Sequence, residues 1–140
     1  MHLLDKFSTF YSDLASMKVD KLSEIYSQNV VFADPVGRYE GISAVENYFT
    51  KLLKNAKYCE FDIHDKLSTT DGHHVITWTM KYISSRINNG KPVSVDGITW
   101  LETQDNKITL HRDYYDLGQM AYEHVPILGY FVKSVKRRIG

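Results

Sequence analysis

Lys107-Ile-Thr-Leu-His-Arg-Asp-Tyr-Tyr-Asp116 is the stretch that decides the fold. Read as an extended chain, it places Thr109, His111, Asp113 and Tyr115 on one face and Ile108, Leu110, Arg112 and Tyr114 on the other. An imidazole, a carboxylate and a phenol along one face make an unusual core wall. The stretch therefore reads as the last strand of a cup-shaped sheet whose concave face lines a cavity. Were that face turned to solvent, the same groups would carry no chemistry. His111 and Asp113, at i and i+2, are spaced to form a hydrogen-bonded acid–base pair.

Upstream of it the chain reads as a meander. Cys59, Phe61 and Ile63 alternate with Glu60, Asp62 and His64, and Thr70-Asp71-Gly72 turns the chain. His74, Ile76, Trp78, Met80 and Tyr82 then share one face of a long strand. Asn88-Asn89-Gly90 is a hairpin signal, because Asn and Gly tolerate positive φ. Val93 to Glu102 is the next strand and Gln104-Asp105-Asn106 the next turn. Before Tyr58 the period is near 3.6 instead of 2. Leu4, Phe7, Phe10, Tyr11 and Leu14 predict an amphipathic helix ending near Met17. Leu22, Ile25 and Tyr26 predict a short second helix capped by Asp20. Val30-Val31-Phe32 is a brief strand stopped by Asp34-Pro35-Val36-Gly37, where proline removes a ladder donor and pushes Asp34 into extended geometry. Ser43-Ala44-Val45-Glu46 reads as a capping box opening a third helix with Val45, Tyr48, Phe49, Leu52 and Leu53 as its buried stripe. Three helices followed by a four-stranded antiparallel meander make an α+β domain, helices packed on one face of a curved sheet with an open end.

The chain has 140 residues and reads as one domain over 1–118 followed by a tail over 119–140. Basic and acidic residues balance at 17 each, so no overall field recruits nucleic acid. Ten tyrosines accompany six phenylalanines and two tryptophans, and phenols give a semi-polar cavity both an apolar wall and a hydrogen-bonding tip. The single cysteine, Cys59, rules out an intramolecular disulfide and fits a reducing compartment. The opening M-H-L-L-D-K-F-S has no basic segment followed by an apolar run, and no apolar stretch approaches ~20 residues. A cytoplasmic location is expected. His73 and His74 point to opposite faces of a strand and cannot chelate together, and His111 with Asp113 has no evident third ligand, so no metal is expected. No G-x-S-x-G, P-loop or dinucleotide fingerprint is present, and no cofactor is implied.

From Leu117 onward the chain changes character. Gly118 breaks the strand, Met120 to His124 reads as a helical turn or two, and Pro126 restarts the chain. Leu128, Phe131, Val132, Val135 and Ile139 then recur at helical spacing opposite Lys133, Lys136 and Arg137. Two readings stay open. One is a closing helix that seals the cup or packs on a partner subunit. The other is a basic amphipathic anchor in weak contact with an anionic membrane surface.

This order of elements, with D-P-V-G after the short strand and H-R-D-Y-Y-D on the last one, resembles the nuclear transport factor 2-like superfamily. The likeness is to its SnoaL-like, ketosteroid isomerase-like and limonene-epoxide hydrolase-like branches and covers residues 3–118. It implies a conical α+β barrel, a curved antiparallel sheet wrapped around the N-terminal helices, and often a homodimer. D-P-V-G is similar to the isomerase segment whose aspartate moves a proton beside a carbonyl, which assigns that part to Asp34. Asp96, in Val95-Asp96-Gly97, falls on the isomerase's second aspartate, held protonated as a donor to the oxyanion. Two carboxyls in one apolar pocket push their pKa values apart into a base and an acid. Phe10 falls where the isomerase has its oxyanion tyrosine, with Tyr11 about 100° further round the helix. Arg112 to Asp116 resembles the hydrolase's terminal W-R-D-Y-F-D and gives Asp113 the position of an acid–base residue. The hydrolase's Arg–Asp pair falls on Met80 and Tyr82, and its water-positioning Tyr and Asn on Phe32 and Asp34.

The function expected on this reading is that of a small cofactor-independent lyase, isomerase or hydrolase acting on an apolar molecule. Asp113 is its main acid–base residue, assisted by His111 and Asp34. Asp96 and Tyr115 orient or stabilise developing oxygen charge. Tyr11, Phe32, Trp78, Met80, Tyr82 and Trp100 join Tyr115 as substrate contacts. The alternative is a non-catalytic domain that binds a hydrophobic ligand or a partner chain in the same cup. The expected partners are a hydrophobic small molecule and a second copy of the chain, not nucleic acid.

Overall fold

Six strands make one curved sheet, and its bends begin where paired strands lose register. The computed structural model describes residues 2–54, 56–85, 88–120 and 128–140. Strands β1 (Tyr26–Ala33), β2 (Arg38–Glu40), β3 (Ala56–Ser68), β4 (His73–Ser84), β5 (Val93–Gln104) and β6 (Lys107–Tyr115) lie in the order β2-β1-β6-β5-β4-β3. Neighbours are antiparallel except β1 and β6, which run parallel. Helices α1 (Leu3–Ser12) and α2 (Ile42–Lys54) belong to the N-terminal part, with the single turn α3 (Leu117–Met120) and the longer α4 (Leu128–Ile139) after the sheet.

Register slips between Ile63 and Lys66 on β3 and between Glu102 and Thr103 on β5. Bulges of this kind bend a strand and sharpen its twist. At the second one Glu102 pairs with Leu110 but Thr103 with Ile108, leaving Thr109 as the extra residue. Its hydroxyl donates to the Glu102 carbonyl at 3.1 Å. The bulge reverses the faces expected for the start of β6: Ile108 is fully buried and Thr109 only half so. Beyond it the expected alternation holds, with His111 and Asp113 buried and Arg112 and Tyr114 exposed.

The α+β architecture is the expected one, but the sheet is larger. β1 starts at Tyr26, not Val30, β2 follows the D-P-V-G turn, and both join the meander through β6. Tyr26 therefore belongs to a strand, not to a second α-helix. Val19–Glu24 is a 3-10 helix preceded by Lys18, with no side-chain cap from Asp20. α1 stops at Ser12, short of Met17, and a separate 3-10 turn spans Leu14–Ser16. α2 opens at Ile42, so Ser43 lies inside its first turn. Gly41, at φ 87°, makes the turn into it, and its carbonyl accepts from Val45 N–H at 3.1 Å. Leu52 is 45% exposed at the rim, not part of the buried stripe. The hairpin signals hold: Asn88, Asn89 and Gly90 all have positive φ, as do Asp105 and Asn106.

The core lies between the helices and the concave face. α1 contributes Leu3, Leu4, Phe7 and Tyr11, and α2 Val45 and Phe49. Each such side chain contributes about 1.5–3 kcal/mol when fully buried. On β5, Gly97 has room for nothing larger, because the Trp78 ring of β4 lies across it and an added Cβ would stand 2.2 Å from the indole. α4 leans on the end of β6, where Lys136 pairs with Asp116 and Val132 lies over Gly118. Its apolar side chains do not line the cup, so among the described residues it does not seal it. The helical turn expected at Met120 to His124 lies, beyond Met120, outside the described residues.

Candidate active site

The concave face and the helices enclose a cavity of about 400 Å³, the size of a small-molecule site. Its walls are mainly aromatic: Tyr11 from α1, Phe32 from β1, Tyr48 and Phe49 from α2, Phe61 from β3 and Trp78 from β4. Asp34 and Asp113 supply the carboxylates, and Tyr115 reaches in from the end of β6.

Behind Asp113 runs a buried chain of hydrogen bonds. The Trp78 indole N–H donates to Thr99 Oγ1 at 2.8 Å, which obliges the Thr99 hydroxyl to donate onward to Asp113 Oδ1, at 2.5 Å. His111 Nε2 lies 2.7 Å from the same oxygen and donates to it. On its other side His111 Nδ1 is 2.7 Å from Tyr26 Oη, which is 2.7 Å from Tyr11 Oη. With a neutral imidazole, Tyr26 donates to Nδ1 and Tyr11 donates to Tyr26, so the cavity sees only a Tyr11 lone pair. Phe32 packs at a tilt against the imidazole, with centroids 4.3 Å apart and planes 36° apart.

Asp34 is held differently. Its Oδ1 accepts from Val36 N–H at 2.8 Å and Gly37 N–H at 3.0 Å, and its Oδ2 from the Tyr48 hydroxyl. The first two bonds are the Asx turn that Pro35 and Gly37 permit. Three donors occupy most of the lone pairs with which it could take up a proton. Asp113 Oδ2, by contrast, meets no hydrogen-bond donor among the described residues.

Residues 7–111 match the family of SnoaL-like domains. This chain is a SnoaL-like domain protein. No curated protein matches its sequence. Solved structures place it in the nuclear transport factor 2-like, ketosteroid isomerase-like fold. A hypothetical protein of that fold from Catenulispora acidiphila, in complex with trimethylamine, superposes with a TM-score of 0.74 at 15% identity, over 87% of this chain and 90% of that one. A protein from Shewanella putrefaciens assigned as a SnoaL-like polyketide cyclase gives 0.70 at 16% identity, over 84% and 90%. TerC co-crystallised with polyporic acid gives 0.69 at 14% identity, over 81% and 91%.

Of the residues expected to form the site of this SnoaL-like protein, Tyr11, Phe32, Asp34, Trp78, Met80, Tyr82, Asp113 and Tyr115 line the cavity. His111 stands fully buried one layer behind. Tyr11 reaches the cavity and Phe10 does not. Asp96 and Trp100 are corrections. Inward positions on β5 are the odd ones, Val93, Val95, Thr99 and Leu101, so both even-numbered residues project from the opposite face. There Asp96 accepts from Thr79 at 2.7 Å, and Trp100 donates to Glu102 at 3.0 Å and stacks on His73. Three carboxyls therefore do not meet in the cavity; two do. Sequence reading overlooked Tyr26, Tyr48 and Thr99, whose hydroxyls tie the two carboxylates into the wall. Tyr48 stood in the α2 stripe, and nothing local marked its oxygen as a partner of Asp34.

The cavity phenols stay protonated. Burial, then the neighbouring Asp34, drives the Tyr48 hydroxyl far above the ordinary tyrosine range, and burial with Asp34 and Asp113 does the same to Tyr115. Tyr82 is pushed up to about 12, chiefly by burial, and donates to the Met120 carbonyl at 2.5 Å. These groups are O–H donors, not bases. Burial likewise pushes the Cys59 thiol up to about 12. At pH 8 the native thiol is expected to react with an aromatic disulfide reagent ~10³-fold more slowly than in denaturant, because the thiolate is the reactive form. Equal rates in the two conditions would show that the β3 wall opens freely.

Proposed function

We propose that this SnoaL-like domain binds a small apolar molecule and moves a proton on it, with Asp113 as the acid–base residue. One observation carries the reading: Oδ1 of Asp113 is fixed by Thr99 and His111, which leaves Oδ2 aimed at a cavity walled by aromatic rings. A carboxylate held in one rotamer beside an apolar ligand is pre-oriented to take a proton from carbon or oxygen. His111 orients it and completes the path to Tyr11. The Tyr115 hydroxyl, in the field of both Asp34 and Asp113, donates to oxygen charge as it develops on the ligand. Asp34 acts as a fixed negative charge at the wall, not as a second base. The reaction class is a lyase, isomerase or cyclisation step in which a proton leaves an atom next to a carbonyl. Structural neighbours carrying trimethylamine and polyporic acid, and one assigned as a polyketide cyclase, support small organic molecules as its ligands.

The test does not depend on the identity of the natural substrate. Cyclic ketones and phenolic carbonyl compounds are incubated with the protein in deuterated buffer, and exchange of their acidic C–H is followed by NMR. Protein-dependent exchange of at least one compound is expected. If compounds bind in the cavity and none exchanges faster than in buffer, the protein is a ligand carrier and the catalytic reading fails.

A further inference from the structure

α4 carries four of the chain's 17 basic residues, Lys133, Lys136, Arg137 and Arg138, and none of its 17 acidic ones. On a chain without net charge it is a concentrated cationic element. One edge of it meets the rest of the fold: Gly129 is buried, Val132 lies over Gly118 and Lys136 pairs with Asp116. At 100° per residue, Leu128, Phe131, Val135 and Ile139 fall in a single arc beside that edge. They are 45%, 59%, 55% and 83% exposed, and Tyr130 is 67% exposed. None of them lines the cavity. On the same wheel Arg138 borders this arc while Lys133 and Arg137 lie across the helix from it, the division of an amphipathic basic helix lying in the head-group boundary of an anionic bilayer.

We propose that α4 docks this protein on an anionic lipid surface. Phe131, Val135 and Ile139 enter the acyl boundary, and Lys133, Arg137 and Arg138 meet the head groups. Charge favours this occupant: Lys133, Arg137 and Arg138, on a helix with no acidic residue, complement an anionic surface. The docked helix stays joined to the fold just past the end of β6, through Lys136 with Asp116 and Val132 over Gly118.

The full chain is tested by co-sedimentation with vesicles of phosphatidylcholine alone and of phosphatidylcholine with phosphatidylserine. Binding to the anionic vesicles is expected to be at least about tenfold tighter than to the neutral ones, and to weaken in ~0.5 M salt. Phe131→Ser with Val135→Ser, and separately Arg137→Glu with Arg138→Glu, are each expected to weaken it about tenfold. Both pairs lie on the exposed side, and thermal melting checks that the fold is kept. Binding that ignores lipid charge, or no binding at all, overturns the proposal. So does a self-association by sedimentation velocity that Phe131→Ser with Val135→Ser abolishes while vesicles stay empty; that result assigns the arc to a subunit interface.

Discussion

Asp113→Asn is expected to lower turnover by ~10²–10⁴-fold, the range for removal of a general acid–base group, while leaving the fold in place. Asparagine keeps the shape, and its Oδ1 still accepts from Thr99 and His111 at the positions those donors now occupy. What changes is the second atom: an amide NH₂ replaces Oδ2 and cannot take a proton. The matched control is Asp34→Asn. Its Oδ1 still accepts from Val36 and Gly37, and the Tyr48 hydroxyl can turn its lone pair toward the new NH₂. A loss of only ~10-fold or less is expected there, as for an orienting charge screened by its own donors. Turnover measured with any compound that exchanges, together with melting curves of both variants, decides the matter. An Asp113→Asn protein that turns over normally would remove this residue from the chemistry.

Gly97→Ala is expected to cost about 3 kcal/mol of stability, at the upper end for overpacking. The new methyl would stand 2.2, 2.4 and 2.7 Å from three carbons of the Trp78 ring, far inside contact distance. The ring is not free to yield. Its N–H is engaged with Thr99, and it meets Phe61 in a T-shaped contact with centroids 4.7 Å apart. Moving it releases Thr99 from the indole and so loosens the hydroxyl that holds Asp113 Oδ1. In a Trp78→Leu background the same substitution is expected to cost less than about 1 kcal/mol, because alanine is otherwise the better strand residue. Urea denaturation of the four proteins in the cycle measures this. An unchanged cost without the indole would place the origin in the backbone instead of the ring.

What could be read from the sequence, and what could not, divides along the range of the interaction. The meander was legible because each strand buries one face, and a period of two records that locally. Asp113 and His111 were legible as a pair for the same reason: i and i+2 on a strand share a face whatever lies elsewhere. The start of β1 was not legible, since its place depends on β6, which lies some eighty residues away in sequence. The bulge at Thr109 is a property of pairing, not of either strand alone. Tyr26 meets His111 only after the sheet has closed. Asp96 is the instructive miss. The alternation Val93, Val95, Thr99, Leu101 already turned it outward, and alignment to a distant family outvoted a pattern present in the chain itself.

The last strand to be synthesised occupies an inner place in the sheet, between β1 and β5. Until residues 107–115 have left the ribosome, β1 and β2 can pair only with each other. At ~5–20 residues per second that delay is on the order of ten seconds, during which the greasy sides of the first two helices have no finished sheet to cover them. A stop codon between β5 and β6 therefore leaves β1–β2 and β3–β4–β5 as two separate strand groups with no strand to join them.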